Sequence, residues 1–379
     1  MSQKNSPFIL RQTRLASALA NSNFSALALN PGPSLVYFTG LHFHLMERPV
    51  VAIFSPGHPP TLIIPELEAA KVEGLPYPLK VYTYGEDPEK WHEIFSQAAG
   101  STGFTGKTVG IEPTHLRLLE FRFLKRAVGN ARFQSAELIL SELRIRKDES
   151  EIAALRRAVV IAQKALQATL PSIKPGLTER QIAAMLTIQL YQQGSDPEFS
   201  FTPIVSSGPN SANPHAVPSD RELHSGDLLV IDWGAMSQGY TSDITRTFAI
   251  GEVNQEFTKI AQIVEGSNAA ARRIVRPGIR AEEIDGAARR VIEEAGYGAY
   301  FIHRTGHGLG MEGHETPYIR SGNQLILEPG MVFTIEPGIY LPGRGGVRIE
   351  DDIVVTDDGA ESLTDLPREL KTLPRRGHQ

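Results

Sequence analysis

Residues 174–194, KPGLTERQIAAMLTIQLYQQG, align without gaps to residues 276–296, RPGIRAEEIDGAARRVIEEAG, at an offset of 102 residues. Pro175 matches Pro277, Gly176 matches Gly278, Ile182 matches Ile284 and Gly194 matches Gly296. Each copy reads as a Pro-Gly turn, a helix, and a glycine where the helix C-terminus needs a left-handed residue. Four identities between two amphipathic helices leave chance open, so the segment after each copy decides. The first is followed by IDWGAMSQGYTSDITRTF (231–248), with β-branched and aromatic runs around Ser237, Gln238 and Gly239. The second is followed by VFTIEPGIYLPGRGGVRIEDDIVV (332–355), with PGRGG as turn material. Both segments read as hairpins. A helix-plus-hairpin unit used twice predicts a domain made of two related halves.

The hairpins carry the same charges. A turn centred between Ser237 and Gln238 makes Asp232 and Asp243 cross-strand partners, and a turn centred on Gly343 does the same for Glu336 and Glu350. Like charges directly opposite one another, with Cβ atoms roughly 5 Å apart, destabilise a sheet unless something between them compensates. A single pair has another reading: one Asp caps the turn while a bulge aims the other at solvent. With two pairs in two related halves that coincidence has to occur twice. Four converging carboxylates stay ionised only beside cations, because burial and mutual repulsion otherwise raise their pKa values.

The remaining sequence sets the frame. A chain of 379 residues is too long for one ordinary domain, and 41% hydrophobic with 21% charged residues is a common globular composition. A net charge of -5 without a dense basic block argues against nucleic acid or an anionic membrane as partner. No run of 18 apolar residues and no leader-like N-terminus is present, so the expected location is cytoplasmic. With no cysteine, disulfides, thiolate metal sites and cysteine nucleophiles are excluded. Residues 1–135 read as a small α/β domain, with SLVYFTG, VVAIFSPG, TLIIP and KVYTYG as strands and Arg11–Ala20 as a helix. From residue 136 the pattern turns helical, and Asp148 with Glu151 three residues on resembles a capping box, so a second domain is expected over 136–379.

An oxygen-rich site with one imidazole suits two divalent ions, Mn²⁺ first, with Co²⁺, Fe²⁺ or Zn²⁺ as alternatives. The imidazole is expected from HRTGHGLGMEGHETP (303–317), which holds His303, His307 and His314, although a structural role is open for each taken alone. Its Gly306, Gly308 and Gly310 lack the strand-then-helix setting of a phosphate loop, and glycine that lets backbone approach a crowded metal site is the reading adopted.

With these segments in place, the chain resembles the pita-bread metallopeptidases: Xaa-Pro aminopeptidases, Xaa-Pro dipeptidases (prolidases) and methionine aminopeptidases. The resemblance is carried by SSGPNSANPHAVPSD, DWGAMSQGYTSDITRTF, HRTGHGLGMEGHETP, TIEPGIY and GVRIEDD, in that order, over most of 145–360. YFTG and ERP at 37–40 and 47–49 look like the N-terminal domain of the creatinase and proline-peptidase branch. The resemblance implies an α+β protein with an internally duplicated catalytic domain, and Asp232, Asp243, His307, Glu336 and Glu350 as metal ligands, Asp243 and Glu350 bridging. It also implies that His215 and His314 contact the substrate and tetrahedral intermediate, substrate packing being their other reading; a metal mechanism also needs a nearby carboxylate to handle the proton, and Glu336 is the choice for that shuttle. His303, Tyr318 and Arg348 are further candidates for touching substrate. A homodimer is expected on the same ground.

The activity expected first is an Xaa-Pro aminopeptidase acting on proline-containing peptides. Dipeptide-specific relatives often carry an arginine just after HE-x-P, to hold the free carboxylate, and here that position is Tyr318. The alternative is a prolidase in which Arg320, Arg344 or Arg348 substitutes. A non-catalytic pita-bread binding protein and a creatinase-type hydrolase rank lower, because all five ligands are present.

Overall fold

In the computed structural model, residues 6–102 and 106–373 are described. The first and last few residues of the two expected domains, 1–5 and 374–379, therefore lie outside the described residues. The chain divides into two compact units, Met1–Arg144 and Ile145–Gln379. The division falls after Arg144, beyond residue 135 where the sequence changes character. The reason is local: the last helix of the first unit is held by it. The Leu143 carbonyl accepts from Arg14 and from the Tyr37 hydroxyl, and Arg144 donates to Ser34 Oγ.

The first unit is a six-stranded mixed sheet flanked by helices. Its strands are β1 (Ala26–Leu29), β2 (Val51–Phe54), β3 (Thr61–Pro65), β4 (Lys80–Tyr84), β5 (Thr108–Ile111) and β6 (Arg132–Ser135), in the spatial order β4-β3-β2-β1-β5-β6. The helices are α1 (Pro7–Ala20), α2 (Pro33–Thr39), α3 (Pro88–Gly100), α4 (Leu118–Ala127) and α5 (Glu137–Arg144). Three expected strands are found, but SLVYFTG is not one of them. It forms α2, because Pro33 presets the first helical turn and Gly40, at φ 72°, terminates it in the left-handed region. An apolar run of this length fits a buried helix as well as a strand, and the flanking Pro and Gly decide.

The second unit is built twice. In its first half α6 (Glu149–Thr169) and α7 (Glu179–Gln192) pack on a sheet of β7 (Ile204–Ser207), β8 (Leu228–Trp233) and β11 (Ile244–Ile250), with the small hairpin β9 (Met236–Ser237) and β10 (Tyr240–Thr241) at its tip. In the second half α8 (Gln255–Ile274) and α9 (Ala281–Glu294) pack on a sheet of β12 (Gly306–Gly308), β13 (Glu315–Ile319), β14 (Val332–Ile335), β17 (Asp351–Val355) and β18 (Ala360–Ser362), with β15 (Gly338–Leu341) and β16 (Gly345–Arg348) as the hairpin. The last strand, β19 (Lys371–Leu373), returns to pair with β11.

The sequence repeat is a structural one. Gly176 and Gly278 open the two copies at φ 88° and 85°, and Gly194 and Gly296 close them at 95° and 84°. Gly176 N–H donates to Leu223 O and Gly278 N–H to Leu327 O, both at 2.9 Å. Together the halves form the duplicated pita-bread architecture. Asp148 and Glu151 make the expected capping box, which starts α6 afresh after α5 instead of continuing one long helix. The core face of α6, including Leu155, Val159 and Leu166, is buried against Ile182, Leu186 and Trp233. Each such aliphatic side chain contributes about 1.5–3 kcal/mol by leaving water. Trp233 donates its one N–H to the Ala162 carbonyl at 2.9 Å, so its burial leaves no polar group unpaired.

Candidate metal centre

The two hairpins bring the acidic residues to one place by different registers. In the second, Ile335 pairs with Asp351 and Gly338 with Arg348, so Glu336 and Glu350 face each other as the sequence implies. In the first, Asp232 pairs with Thr245 and not with Asp243. The turn is Gln238-Gly239, at φ 54° and 78°, the two positive values a type I′ turn requires, one residue beyond the centre read from the sequence. Moving the centre by one residue slips the register by two. Because strand side chains alternate with period two, a slip of two keeps Asp243 on the face of Asp232, as a diagonal instead of a direct neighbour.

The halves meet where Glu350 N–H donates to Thr245 O at 3.1 Å. Ligand atoms of Asp243, His307 and Glu350 lie within 4.8 Å of one another, all three residues being buried. His307 Nε2 is 3.7 Å from Asp243 Oδ2 and 3.4 Å from Glu336 Oε1. His307 comes from β12, which runs close to its neighbours only because it is flanked by glycines. A Cβ on Gly306 would sit 1.8 Å from the Thr334 carbonyl oxygen, and one on Gly308 2.2 Å from that of Thr316.

Burial, then Glu350 and Asp232, pushes the Asp243 carboxyl well above its ordinary range. Burial, then Glu336 and Asp232, does the same to Glu350. Glu336 is raised by burial to about 7, with Arg348 and Arg304 opposing. His307 is held neutral by burial and by His314. Its Nδ1 faces the Gly308 carbonyl at 3.2 Å and therefore carries the proton, leaving the Nε2 lone pair aimed into the acidic cluster. Among the described residues Asp232 Oδ1 is buried with no hydrogen-bond partner. A neutral imidazole, mutually repelling carboxylates and one orphaned carboxylate oxygen are what a divalent-cation site needs, and the O/N donor set suits first-row metals.

A second layer aims these groups. Glu350 Oε2 accepts from Thr245 Oγ1 at 2.6 Å, and the Asp243 amide is held by the Asp352 carboxylate. Arg348 is buried and fully engaged, with Asp232 Oδ2 at 2.5 Å, Thr245 Oγ1 at 3.0 Å and the Tyr340 hydroxyl at 3.0 Å. It orients a carboxylate of the cluster, and each of its three guanidinium nitrogens already donates within the chain. Arg344 and Arg320 are no better placed to receive a substrate carboxylate. Arg344 pairs with Glu256, and exposed Arg320 donates to the Ser321 carbonyl.

The other histidines gather beside the cluster. The His314 ring lies 4.0 Å from that of His307. His303 Nε2 meets the Tyr340 hydroxyl at 2.9 Å, its Nδ1 lies 3.9 Å from Glu336 Oε2, and burial lowers its pKa to about 3. His215 is exposed, its amide tied to Asn213 Oδ1, and it stands close enough to His303 and His314 to depress both. Tyr318 is half-buried beneath the guanidinium of Arg304, whose Cζ is 4.5 Å from the ring centroid. Sequence reasoning misses Thr245, Tyr340, Asp352 and Arg304. Thr245 and Tyr340 follow from strand alternation, two residues after Asp243 and four after Glu336, whereas Arg304 has no periodic signal.

Residues 153–357 match Metallopeptidase family M24, and residues 11–146 match the Creatinase/Prolidase N-terminal domain. The Xaa-Pro dipeptidase of Lactobacillus helveticus is 36% identical over 364 residues, covering 96% of this chain and 99% of its own. The probable dipeptidase PepE of Mycobacterium tuberculosis is 37% identical over 364 residues, 95% of each chain. The crystal structure of recombinant prolidase from Thermococcus sibiricus superposes with a TM-score of 0.93 at 37% identity, covering 97% of this chain and 100% of that one. A duplicated fold, a buried carboxylate–imidazole centre and matches spanning nearly the whole chain lead to one conclusion: this chain belongs to metallopeptidase family M24, with a creatinase/prolidase-type N-terminal domain.

Proposed function

We propose that the protein is a prolidase, hydrolysing Xaa-Pro dipeptides, with two divalent ions, Mn²⁺ first, held by Asp232, Asp243, His307, Glu336 and Glu350. The observation that carries the metal reading is the buried Asp243–His307–Glu350 cluster with the orphaned Asp232 oxygen beside it. The dipeptide reading is supported by relatives named Xaa-Pro dipeptidase and prolidase that match end to end. It replaces the aminopeptidase reading, which rested on Tyr318 alone.

Bound there, the ions would supply Lewis-acid activation of a water and of the scissile carbonyl. The chain's own residues do the rest. Glu336, whose Oε1 lies 3.4 Å from His307 Nε2 in the cluster, exchanges the proton between water and leaving amine. His314 and His215, at the mouth, donate to the oxygen on which charge develops, a role worth about 10²-fold or more in rate. Thr245 and Arg348 keep Glu350 and Asp232 aimed. A proline amide brings no N–H, so the site needs no acceptor at that nitrogen.

The test is kcat/KM for Ala-Pro against Ala-Pro-Ala with the Mn²⁺-loaded protein. Preference for Ala-Pro supports the proposal, and preference for Ala-Pro-Ala returns the aminopeptidase reading.

A further inference from the structure

We infer that Arg304 is the specificity-determining residue that receives the free carboxylate of the substrate. The inference rests on the dipeptidase reading, which requires a cation just beyond the scissile bond. A dipeptide places its carboxylate there, and a carboxylate left unpaired in a partly dehydrated cleft is costly.

Tyr318 occupies the position after HE-x-P, and a tyrosine offers a carboxylate one neutral hydrogen bond. The structure lays a guanidinium over that same side chain. Arg304 Cζ stands 4.5 Å from the Tyr318 ring centroid, so the ring serves as a platform that fixes the guanidinium plane. Arg304 Nη2 lies 3.0 Å from His314 Nδ1, which ties one end of the fork to the catalytic mouth. Arg304 is half-buried and reaches Glu336 and His307 electrostatically, so it stands at the cluster's edge.

Arg304 and exposed Arg320 both lack an ion pair among the described residues, but Arg304 also stands over the Tyr318 ring and beside His314, whereas Arg320 donates to the Ser321 carbonyl. Among the described residues no carboxylate lies within salt-bridge distance of Arg304, whereas Arg348 holds Asp232, Arg344 holds Glu256 and Arg289 holds Asp285. A guanidinium carries five N–H donors, and the contact with His314 uses one. The remaining edge suits a bidentate carboxylate, an arrangement both stronger and more directional than a neutral bond. Sequence and geometry agree on the outcome: the cation absent at position 318 is supplied from position 304, fourteen residues earlier in the chain.

A merely supportive role, in which Arg304 fixes the His314 tautomer, affects every substrate alike. The experiment therefore compares Ala-Pro with Ala-Pro-NH2, the same peptide without the charge, on Mn²⁺-loaded full-length protein, for the parent, Arg304→Gln and Arg304→Lys. The ratio of kcat/KM for Ala-Pro over Ala-Pro-NH2 is expected to fall roughly 10- to 100-fold in Arg304→Gln, mainly through KM, and to recover in part in Arg304→Lys. Inhibition by free proline is expected to weaken in the same order, giving a readout independent of turnover. Metal content and melting temperature, measured alongside, identify a misfolded variant, and Arg304→Lys then carries the comparison. An unchanged ratio, or equal losses on both substrates, overturns the assignment. A parent that prefers Ala-Pro-Ala to Ala-Pro defeats the dipeptidase reading instead, so the two failures are distinguishable.

Discussion

Arg348 Nη2 lies 2.5 Å from Asp232 Oδ2, while Asp232 Oδ1 has no hydrogen-bond partner among the described residues. One oxygen of the carboxylate is fixed by a buried guanidinium and the other is left facing the cluster. Residues 116 apart in sequence, one from each half of the duplication, are thereby joined. The pairing predicts that Arg348→Met leaves an uncompensated carboxylate, lowers stability by about 3–5 kcal/mol and weakens metal binding about 10- to 100-fold. Calorimetric metal titration of this variant checks it, with Arg348→Lys, which keeps the charge but not the fork, expected in between. Parent-like metal affinity in both variants contradicts the role given to Arg348.

The metal-free centre makes stability depend on pH in a definite direction. Glu336 titrates in the folded chain at about 7 against an ordinary 4.5, and Asp243 and Glu350 are also raised, chiefly by burial. A carboxyl with a raised folded pKa holds its proton more tightly when folded. Its stabilisation is present at low pH and is lost as pH rises through the folded value. The buried histidines act oppositely, their pKa values being lowered, but above pH about 6.5 an ordinary histidine is neutral in the unfolded chain too, so they drop out. Between pH values of about 6.5 and 8 the melting temperature of chelator-treated protein is expected to fall, and saturating Mn²⁺ is expected to abolish the fall. Thermal scans across that interval decide, and a melting temperature that rises with pH in the metal-free protein contradicts the electrostatic account.

Gly306→Ala places a methyl group where the Thr334 carbonyl oxygen is only 1.8 Å away. The strands must separate, and the expected loss is at least about 1–3 kcal/mol of stability, with His307 displaced from the cluster and metal affinity reduced. Chemical denaturation together with metal titration measures both effects. A variant with parent-like stability shows that β12 and β14 have more freedom than their approach implies.

The centre is legible in the sequence because its ingredients are repeated. Asp232 and Glu336 follow equivalent helices, and strand alternation tolerates a two-residue displacement of the first hairpin's register. SLVYFTG (34–40) reads as a strand because its apolar pattern is compatible with both states, and only Pro33 and Gly40 distinguish them. Sequence does not reveal that burial commits the Arg348 donors to Asp232, Thr245 and Tyr340. Arg304 escapes notice for the converse reason. Its proximity to Tyr318 arises from the antiparallel pairing of β12 with β13, which brings residues near 306 beside residues near 319.

The central claim is that two carboxylate-rich hairpins form one dinuclear metal centre. Its most direct test is the number of divalent ions bound per chain at saturation, measured by elemental analysis with Mn²⁺ and activity on Ala-Pro in parallel, for the parent and for Asp243→Ala. The account predicts two ions and metal-dependent turnover in the parent, and at most one ion with nearly all turnover lost in Asp243→Ala. Full activity after exhaustive chelation, or two ions and parent-like turnover in Asp243→Ala, would contradict it.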